Sequence, residues 1–325
     1  MKAVIIQAPG SSPVISELPV PEPGTGEVLV KISAAPVNPS DLAGIRRARP
    51  EADYPFVPGL EGAGAVVKAG KGLLPGMWLG KRVTCSPVRG KGGTWAEYMV
   101  TSAGHCFPLG KNVDDEQGSM SLVNPLTAIA FIEMAQSGKH RTIINNAAAS
   151  ALGRMIELLC RQNGITLINL VRSADKVAEL SMAGSRYVLN TSDPGFAKQF
   201  RDLAEKLDAR LLFDSVCGEG FPVLVDSMPS GSTIVIYGNL SPKPVVEVNP
   251  GTILGRDIKI EGFFLGNIAL RKGMIKSMTD LLKVRKLMSS EMKITVSGRY
   301  PLEDVNKAIE VYLSGMSAGK VLLKP

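Results

Sequence analysis

A run of small residues at 147–151 stands between two apolar segments, and it offers a backbone that a large ligand can approach closely. Ile143 and Ile144 form a short strand before it, and apolar residues at helical spacing follow until Asn163 and Gly164 end the helix. A second apolar strand, 165–171, leads directly into Arg172. In a βαβ unit of this order, the pyrophosphate of a dinucleotide rests on the helix N-terminus. The sequence therefore predicts a nicotinamide-dependent oxidoreductase.

The turn departs from the usual G-x-G-x-x-G pattern, because Ala148, Ser150 and Gly153 hold its three positions. Gly153 allows the helix to pack closely on the strand, and Ser150 could cap the helix and offer its hydroxyl to a phosphate. The turn alone fits a βαβ unit without a ligand equally well. At this point both interpretations stay open.

Arg172 favours the nucleotide, and it also favours one nucleotide over another. An NAD site places Asp or Glu near this position to bind the ribose 2′-hydroxyl, whereas a guanidinium suits a 2′-phosphate. Ser173 and Lys176 could add a hydroxyl and a second cation. A solvated loop arginine is the alternative. In the βαβ context we predict NADPH as the cofactor.

Composition indicates an enzyme acting on a small molecule. The chain has 325 residues, 45% of them hydrophobic and 21% charged, with a net charge of +7. Such a charge could attract phosphate-bearing ligands such as NADPH or a coenzyme A thioester. The basic residues are scattered apart from Arg46, Arg47 and Arg49, and no nucleic-acid-binding module is recognisable, so we expect no nucleic-acid partner.

The cysteines and the first residues indicate the compartment. Cys85, Cys106, Cys160 and Cys217 lie far apart without C-x-x-C spacing, which argues against a disulfide framework and favours a reducing environment. The sequence begins with a strand pattern at its first residues, and we recognise neither a signal peptide nor an apolar run of membrane-spanning length. We therefore expect a cytoplasmic protein with no membrane partner.

The texture of the chain changes twice, which predicts two domains. The first third is rich in Pro, Gly and short strand patterns, typical of a β-rich, partly open barrel. From about Leu122, helices alternate with apolar strands, which predicts an α/β doubly wound parallel sheet. A final helix, strand, helix and strand return to the first texture, with one strand expected at 293–296 and a helix starting at Pro301. The predicted boundaries are 1–122 with 269–325, and 123–268.

Several short motifs occur in a fixed order: 26–30 (GEVLV), 37–41 (VNPSD), 58–64 (PGLEGAG), 93–98 (GTWAEY), 124–128 (NPLTA), the turn at 146–153 and 319–322 (GKVL). With them the chain resembles the medium-chain dehydrogenase/reductase superfamily over essentially its full length. It looks most like the 2-enoyl thioester reductases, and next most like the quinone oxidoreductases. The resemblance implies a GroES-like domain beside a Rossmann domain.

The resemblance also implies cofactor contacts by position. Asn124 and Thr127 would lie near the nicotinamide half, and Lys320 would reach in from the tail. The remaining contacts would be Ala149, Ser150, Ala151 and Leu152 at the pyrophosphate, Arg172, Ser173 and Ala174 at the 2′-phosphate, and Tyr237, Gly238, Asn239, Leu240, Phe263, Phe264 and Leu265 around the nicotinamide ribose and carboxamide. Thr127 could instead be an ordinary helix residue, Tyr237 the end of a strand, and Phe263 and Phe264 core or dimer-edge residues.

The family's zinc ligands have no counterpart here. Pro39 or its neighbour stands at the cysteine position and Leu60 at the histidine position, and neither can bind zinc. His105 and His140 lie outside any ligand spacing. A metal-free site favours hydride transfer to an activated alkene or a quinone, because the negative charge that develops is already delocalised.

The proton donor is less evident. The loop 44–50 lacks the tyrosine that enoyl thioester reductases carry there, so Tyr54 is the nearest candidate, although it could simply pack beside two prolines. Asn38 is a second candidate, as a hydrogen-bond donor, and Glu61 is expected to be structural. The missing tyrosine also fits a non-catalytic NADPH-binding protein. The apolar strand 258–264 could pair across a two-fold axis, as in relatives, to give a homodimer.

Overall fold

The computed structural model describes residues 1–47, 49–50, 53–88, 90–241, 243, 247–290 and 292–325, without the side chains of 269–275 and 290. Within these residues the chain divides into two compact units. Unit 1 comprises Met1–Leu126 with Met274–Pro325, and unit 2 comprises Thr127–Gly273. None of the helices described is both long enough and apolar enough to cross a membrane.

The secondary structure alternates in the middle of the chain and is mostly β near its ends. The strands are β1 (Lys2–Ile5), β2 (Val14–Glu17), β3 (Glu27–Pro36), β4 (Gly62–Ala69), β5 (Arg82–Cys85), β6 (Tyr98–Ser102), β7 (Cys106–Pro108), β8 (Thr142–Asn146), β9 (Thr166–Val171), β10 (Tyr187–Asn190), β11 (Leu211–Asp214), β12 (Thr233–Ile236), β13 (Lys259–Gly262), β14 (Val296–Pro301) and β15 (Lys320–Lys324). The helices are α1 (Pro39–Arg46), α2 (Leu73–Trp78), α3 (Asp115–Ser119), α4 (Val123–Ser137), α5 (Ala151–Asn163), α6 (Ala174–Met182), α7 (Phe196–Lys206), α8 (Phe221–Ser227), α9 (Pro250–Arg256), α10 (Leu265–Ser290) and α11 (Val305–Ser314).

Unit 1 is built around a sheet in the order β14-β15-β3-β4-β5-β7, with β6 also paired to β3. Apart from the parallel pair β14 and β15, the pairings in this sheet are antiparallel. Apolar residues on one face of these strands form a core around Trp95 and Met99, both fully buried. The tail belongs to this unit because β15 pairs with β3. This is the β-rich domain that the sequence predicts.

Unit 2 is a parallel sheet in the order β10-β9-β8-β11-β12-β13, which confirms the predicted doubly wound arrangement. Its central strands are apolar along their length because both faces are covered. Ile143, Ile144 and Phe213 are fully buried. Helix α5 buries the apolar stripe predicted for it and ends at Gly164, which has the left-handed φ of 65° that glycine adopts without strain.

The strand expected at 293–296 is wrong: β14 begins at Val296. Ile294 lies before the strand, and its backbone is satisfied by the side chain of Gln117, which donates to Ile294 O and accepts from Ile294 N, both at 2.9 Å. No neighbouring strand is needed there. The helix expected from Pro301 also starts later, since a 3-10 turn at Leu302–Asp304 precedes α11.

Candidate active site

The N-terminus of α1 is anchored by a carboxylate from its own first turn. Pro39 occupies the first helical position, where a missing N–H costs nothing. Asp41 Oδ2 accepts a hydrogen bond of 2.8 Å from Asn38 N, and Asp41 Oδ1 accepts one of 2.9 Å from Leu60 N. The N-P-x-D motif therefore fixes both the helix entry and the segment that holds Leu60.

Glu61 occupies the centre of this region. Its carboxylate accepts hydrogen bonds from Asn38 Nδ2 at 3.0 Å, from Leu122 N at 3.0 Å and from Val123 N at 2.9 Å. The last two are backbone groups at the start of α4, which has no partner for them within the helix. Glu61 thus ties α4 to Asn38, and the structural role expected for it is confirmed.

Lys320, the first residue of β15, donates a hydrogen bond from Nζ to Asn38 Oδ1. Asn38, Asp41, Glu61 and Lys320 together form what we call the Asn38 cluster, and none of its members is more than 3% exposed. Burial raises the pKa of Asp41 to about 7, raises the pKa of Glu61 and lowers the pKa of Lys320. The nearby ammonium opposes these shifts at both carboxyl groups.

This geometry gives Asn38 and Lys320 partners inside unit 1. Sequence analysis predicted Asn38 as a donor to substrate and Lys320 as a cofactor contact. Instead, both Asn38 Oδ1 and Asn38 Nδ2 are engaged within the cluster, and Lys320 is almost fully buried. In the described state the two residues therefore position the backbone around them, and their roles toward a ligand stay predictions.

Tyr54 carries an unused hydroxyl. Its ring packs against Phe56, with the ring centroids 5.6 Å apart, and the guanidinium of Arg49 lies 3.9 Å from the centroid of the Phe56 ring. Tyr54 OH and Arg49 Nε are both buried, and among the residues that the structure describes neither has a hydrogen-bond partner. A buried hydroxyl without a partner is unfavourable by about 1–3 kcal/mol. Tyr54 therefore has hydrogen-bonding capacity that packing alone does not explain.

In unit 2, the turn between β8 and α5 is tight and leads directly into a capped helix. Ser150 Oγ accepts a hydrogen bond of 3.1 Å from Gly153 N, so the predicted helix cap is confirmed. A Cβ on Gly153 would lie 2.1 Å from Ala148 O, which explains why glycine is retained at this position. Ala147 takes a positive φ of 59° to make the turn. The turn presents Ala149, Ser150 and the first N–H groups of α5, which fit a diphosphate.

Arg172 directly follows β9, and its side chain is exposed. Within the described ranges its guanidinium has no ion-pair or hydrogen-bond partner. Lys176, expected as a second cation, is instead paired with Glu179, which also binds Arg154. Ser173 is the cap residue of α6, and Ala174 is that helix's first residue. Arg172 therefore carries an exposed guanidinium at the end of β9, and its role toward a 2′-phosphate stays a prediction.

The segments after β12 and β13 surround an aromatic group in unit 2. The ring centroid of Phe131 lies 3.9 Å from that of Phe213 and 4.9 Å from those of Tyr237 and Phe263. Burial raises the pKa of Tyr237. Asn145, at the centre of the sheet, has a buried Nδ2 for which the described residues provide no partner. Tyr237 and Phe263 thus have clear packing roles.

The other predicted contacts differ in exposure. Phe264 is 62% exposed, whereas Thr127 is buried. Gly238 packs closely on Ser215, since a Cβ on it would lie 3.0 Å from that residue. The residues Asn124, Ala151, Leu240 and Leu265 are half-buried, Leu152 is buried and Asn239 is exposed.

The residues at the expected zinc positions do not fit a zinc ion. Pro39 opens α1 and Leu60 has an aliphatic side chain. In the described part of the chain, no three His, Cys, Asp or Glu side chains are grouped as a metal would require. His105 contacts Ser86 and Pro87, and burial lowers the pKa of His140.

Asp41 and the partner of Lys320 were not foreseen. The N-P-x-D spacing carried a signal for Asp41, since an acid three residues after the cap commonly bonds the cap backbone. Nothing in the sequence links residue 320 to residue 38, because their contact depends on the pairing of β15 with β3.

Comparison with known proteins agrees with this architecture. Residues 24–111 match the family described as alcohol dehydrogenase GroES-like domain, and residues 151–284 match the family described as zinc-binding dehydrogenase. A mitochondrial enoyl-[acyl-carrier-protein] reductase from Arabidopsis thaliana is 30% identical over 296 residues, covering 86% of this chain and 76% of that protein. One from Caenorhabditis elegans is 29% identical over 306 residues, covering 90% and 85%.

Solved structures give the same result. A putative NADPH:quinone reductase from Mesorhizobium loti is 30% identical with a TM-score of 0.88, covering 100% of this chain and 98% of that one. Another from Bacillus thuringiensis is 26% identical with a TM-score of 0.86 and the same coverage. On its two domains, its ordered motifs and these relatives, the chain belongs to the medium-chain dehydrogenase/reductase superfamily of oxidoreductases.

Proposed function

We propose that the protein is an NADPH-dependent reductase of activated alkenes, of the 2-enoyl thioester type. The observation that carries this proposal is the nucleotide turn of unit 2 together with Arg172. The α5 N-terminus offers N–H groups to a diphosphate, and the exposed guanidinium of Arg172 at the end of β9 suits a 2′-phosphate. The similarity to enoyl-[acyl-carrier-protein] reductases over most of the chain supports the substrate class.

The residues at the zinc positions limit the chemistry that the site performs. When bound, NADPH supplies a hydride to the substrate. Reduction of a simple ketone would leave a localised alkoxide that favours a Lewis acid, and Pro39 and Leu60 provide no ligand for one. Hydride addition to the β carbon of a conjugated thioester leaves an enolate whose charge hydrogen-bond donors can stabilise. We therefore propose a zinc-independent reaction in which Tyr54, whose hydroxyl has no partner in the described part of the chain, provides the proton.

The decisive test of the cofactor site is Arg172→Ala. A charge-assisted contact contributes about 1.5–3 kcal/mol, so NADPH affinity should fall roughly ten-fold or more, while NADH affinity stays the same. Calorimetry with both nucleotides measures this. Arg186→Ala is the matched control, because Arg186 is an exposed arginine of unit 2 that stacks on Tyr187. Equal losses for the two nucleotides, or an equal loss in the control, would remove Arg172 from the 2′-phosphate site.

A second candidate function is an NADPH:quinone oxidoreductase. The solved structures named as putative NADPH:quinone reductases match the whole of this chain and favour this alternative. Turnover of NADPH with a short 2-enoyl thioester and with an aromatic quinone, measured side by side at equal enzyme concentration, separates the two. Tight NADPH binding without oxidation by any acceptor would instead indicate a binding protein. Chelators should leave the rate unchanged if the reaction needs no zinc.

We also propose that the protein is a cytoplasmic homodimer that pairs through β13. This strand is the edge of the unit 2 sheet, and all four of its residues are exposed. An exposed edge carries unpaired N–H and C=O groups that a second copy could satisfy. Light scattering should give the mass of two chains, and Ile260→Pro should give the mass of one. A monomeric wild type would contradict the dimer.

A further inference from the structure

Two cysteines from neighbouring strands of unit 1 face each other directly. Cys85 is the last residue of β5, Cys106 is the first residue of β7, and the antiparallel register pairs their Cα atoms. Ser86 N donates to His105 O at 3.2 Å, and Leu109 N donates to Arg82 O at 2.9 Å. These bonds mark the Ser86–His105 and Arg82–Leu109 positions as hydrogen-bonded pairs of the ladder.

The ladder pattern then fixes the kind of pair that the cysteines form. Hydrogen-bonded and non-hydrogen-bonded pairs alternate along antiparallel strands, so Cys85 and Cys106 are a non-hydrogen-bonded pair. In such pairs the Cα atoms are typically about 4.5 Å apart and both side chains point to the same face. Disulfides span Cα separations of roughly 4.4–6.8 Å. The backbone therefore holds the two thiols where a disulfide can form without rearrangement.

The two cysteines are buried, but one of them lies on a strand at the edge of the sheet. Both side chains are fully buried, and Cys85 Sγ donates a long hydrogen bond of 3.6 Å to Gly62 O. Burial raises the pKa of Cys85, as does the proximity of Cys106, and burial raises the pKa of Cys106 to about 12. Strand β7, however, has only three residues and forms the edge of its sheet. Short edge strands are the parts of a sheet that open locally at low free energy, and such an opening of β7 is the route by which Cys106 would reach an oxidant.

We propose that Cys85 and Cys106 form a reversible oxidation site, which a low-molecular-weight disulfide converts into a cross-strand disulfide. The Cys106 thiolate attacks one sulfur of the oxidant, giving a mixed disulfide and releasing one small thiol. The Cys85 thiolate then attacks Sγ of Cys106, forming the Cys85–Cys106 bond and releasing the second small thiol. The two cysteines lose two protons and two electrons, and the oxidant is reduced to two thiols.

The position of the pair connects it to the Asn38 cluster. Cys85 lies opposite Gly62 in the pairing of β5 with β4, and Gly62 directly follows Glu61. The new bond would join β7 to β5, one strand away from the residue that anchors the start of α4. Oxidation would therefore stiffen the sheet beside the candidate active site, although the proposal does not depend on the identity of the substrate.

The test uses the native full-length chain and glutathione disulfide as the probe. After exposure, free thiols are blocked with maleimide and the peptides are mapped by mass spectrometry without reduction. We expect one intramolecular Cys85–Cys106 link, which dithiothreitol reverses. The Cys160→Ser/Cys217→Ser variant is the matched control and should keep the link, since these buried cysteines belong to unit 2. In Cys85→Ser, the oxidation should stop as a glutathione adduct on Cys106.

Two results would overturn the proposal. One is that Cys85 and Cys106 of the native protein both remain free thiols under conditions that oxidise the denatured chain. The other is a glutathione adduct on wild-type Cys106 that persists without closing onto Cys85. Folding of each serine variant is checked by circular dichroism, and the wild-type result stands independently of those variants.

Discussion

Replacing Glu61 by Gln tests whether the Asn38 cluster stabilises unit 1. The substitution keeps the shape of the side chain but removes its charge and one of its two acceptor oxygens. In the wild-type protein three N–H groups donate to the Glu61 carboxylate: Asn38 Nδ2, Leu122 N and Val123 N. With a glutamine, at least one of these donors faces the new amide NH₂ group and loses its acceptor.

The magnitude follows from these contacts. A hydrogen bond to a charged acceptor contributes about 1.5–3 kcal/mol, and a buried donor left without a partner costs a similar amount. Lys320 also loses the attraction of one of the two carboxyl groups near it. We expect a loss of about 2–4 kcal/mol in the free energy of unfolding of unit 1, measured at pH 8, which is above the pKa of about 7 that burial gives Asp41.

The assay can report unit 1 by itself, because the chain has two tryptophans, Trp78 and Trp95, and both belong to that unit. Guanidinium denaturation followed by tryptophan fluorescence therefore avoids a mixture of two transitions. Glu303→Gln is the matched control, since Glu303 pairs with Lys2 at the surface and should leave the midpoint unchanged. If Glu61→Gln and Glu303→Gln unfold at the same midpoint, the cluster contributes no net stability and the reasoning is wrong.

Three further predictions concern pH, the nucleotide turn and the proton donor. Asp41 is buried beside Glu61, Lys320 and Tyr312, and its pKa rises to about 7 on folding. The folded state therefore binds the proton of Asp41 more tightly than the unfolded state, which stabilises the fold at low pH, and this stabilisation is lost as the pH rises toward 7. Between about pH 5 and pH 7 the free energy of unfolding of the wild type should therefore fall by about 2 kcal/mol more than that of Asp41→Asn. If chemical denaturation shows the same pH dependence of the free energy of unfolding for both proteins, this prediction is wrong. Gly153→Ala should destabilise unit 2 in thermal unfolding by about 2 kcal/mol or more, because its Cβ would meet Ala148 O, whereas Gly255→Ala in α9 has open space and should be neutral or stabilising. Tyr54→Phe should lower kcat by about 10²–10⁴-fold while raising the free energy of unfolding by about 1–3 kcal/mol, because it removes a buried hydroxyl that has no partner among the described residues; an unchanged kcat would exclude Tyr54 as the proton donor.

The βαβ unit was predictable from sequence because its signals are local. The small residues of the turn, the stripe on α5, the glycine that ends it and Arg172 after β9 all lie within one stretch of the chain. The pairing of Lys176 with Glu179 is also local, because the two residues are three positions apart on α6. The sequence, however, does not indicate whether a lysine in the first turn of a helix binds a ligand or pairs with an acid of the same helix.

Contacts between distant segments were not predictable in the same way. The sequence predicts Lys320 as a cofactor contact from the tail, but it does not indicate that this lysine is buried against Asn38. That burial arises because β15 pairs with β3, next to the segment that carries Asn38. Gln117 likewise replaces a strand partner for Ile294, so the tail strand begins later than its apolar pattern indicates. In both cases the outcome depends on which residue lies opposite in space, and periodicity within a segment holds no information about that.

The Asn38 cluster also explains why the tail of the chain belongs to unit 1. Asp41 and Glu61 are two carboxyl groups inside a β-rich core, and without a cation their burial would oppose folding whenever they ionise. Among the described residues of the first 126, none brings a cation into this group, and Lys320 is the basic residue that acts on both carboxyl groups. The tail therefore supplies two things at once: β15, which fills the place between β14 and β3, and the ammonium that lets both carboxyl groups remain buried. A chain that ended before residue 320 would keep the acids that organise α1 and α4 and lose the charge that makes their position tolerable.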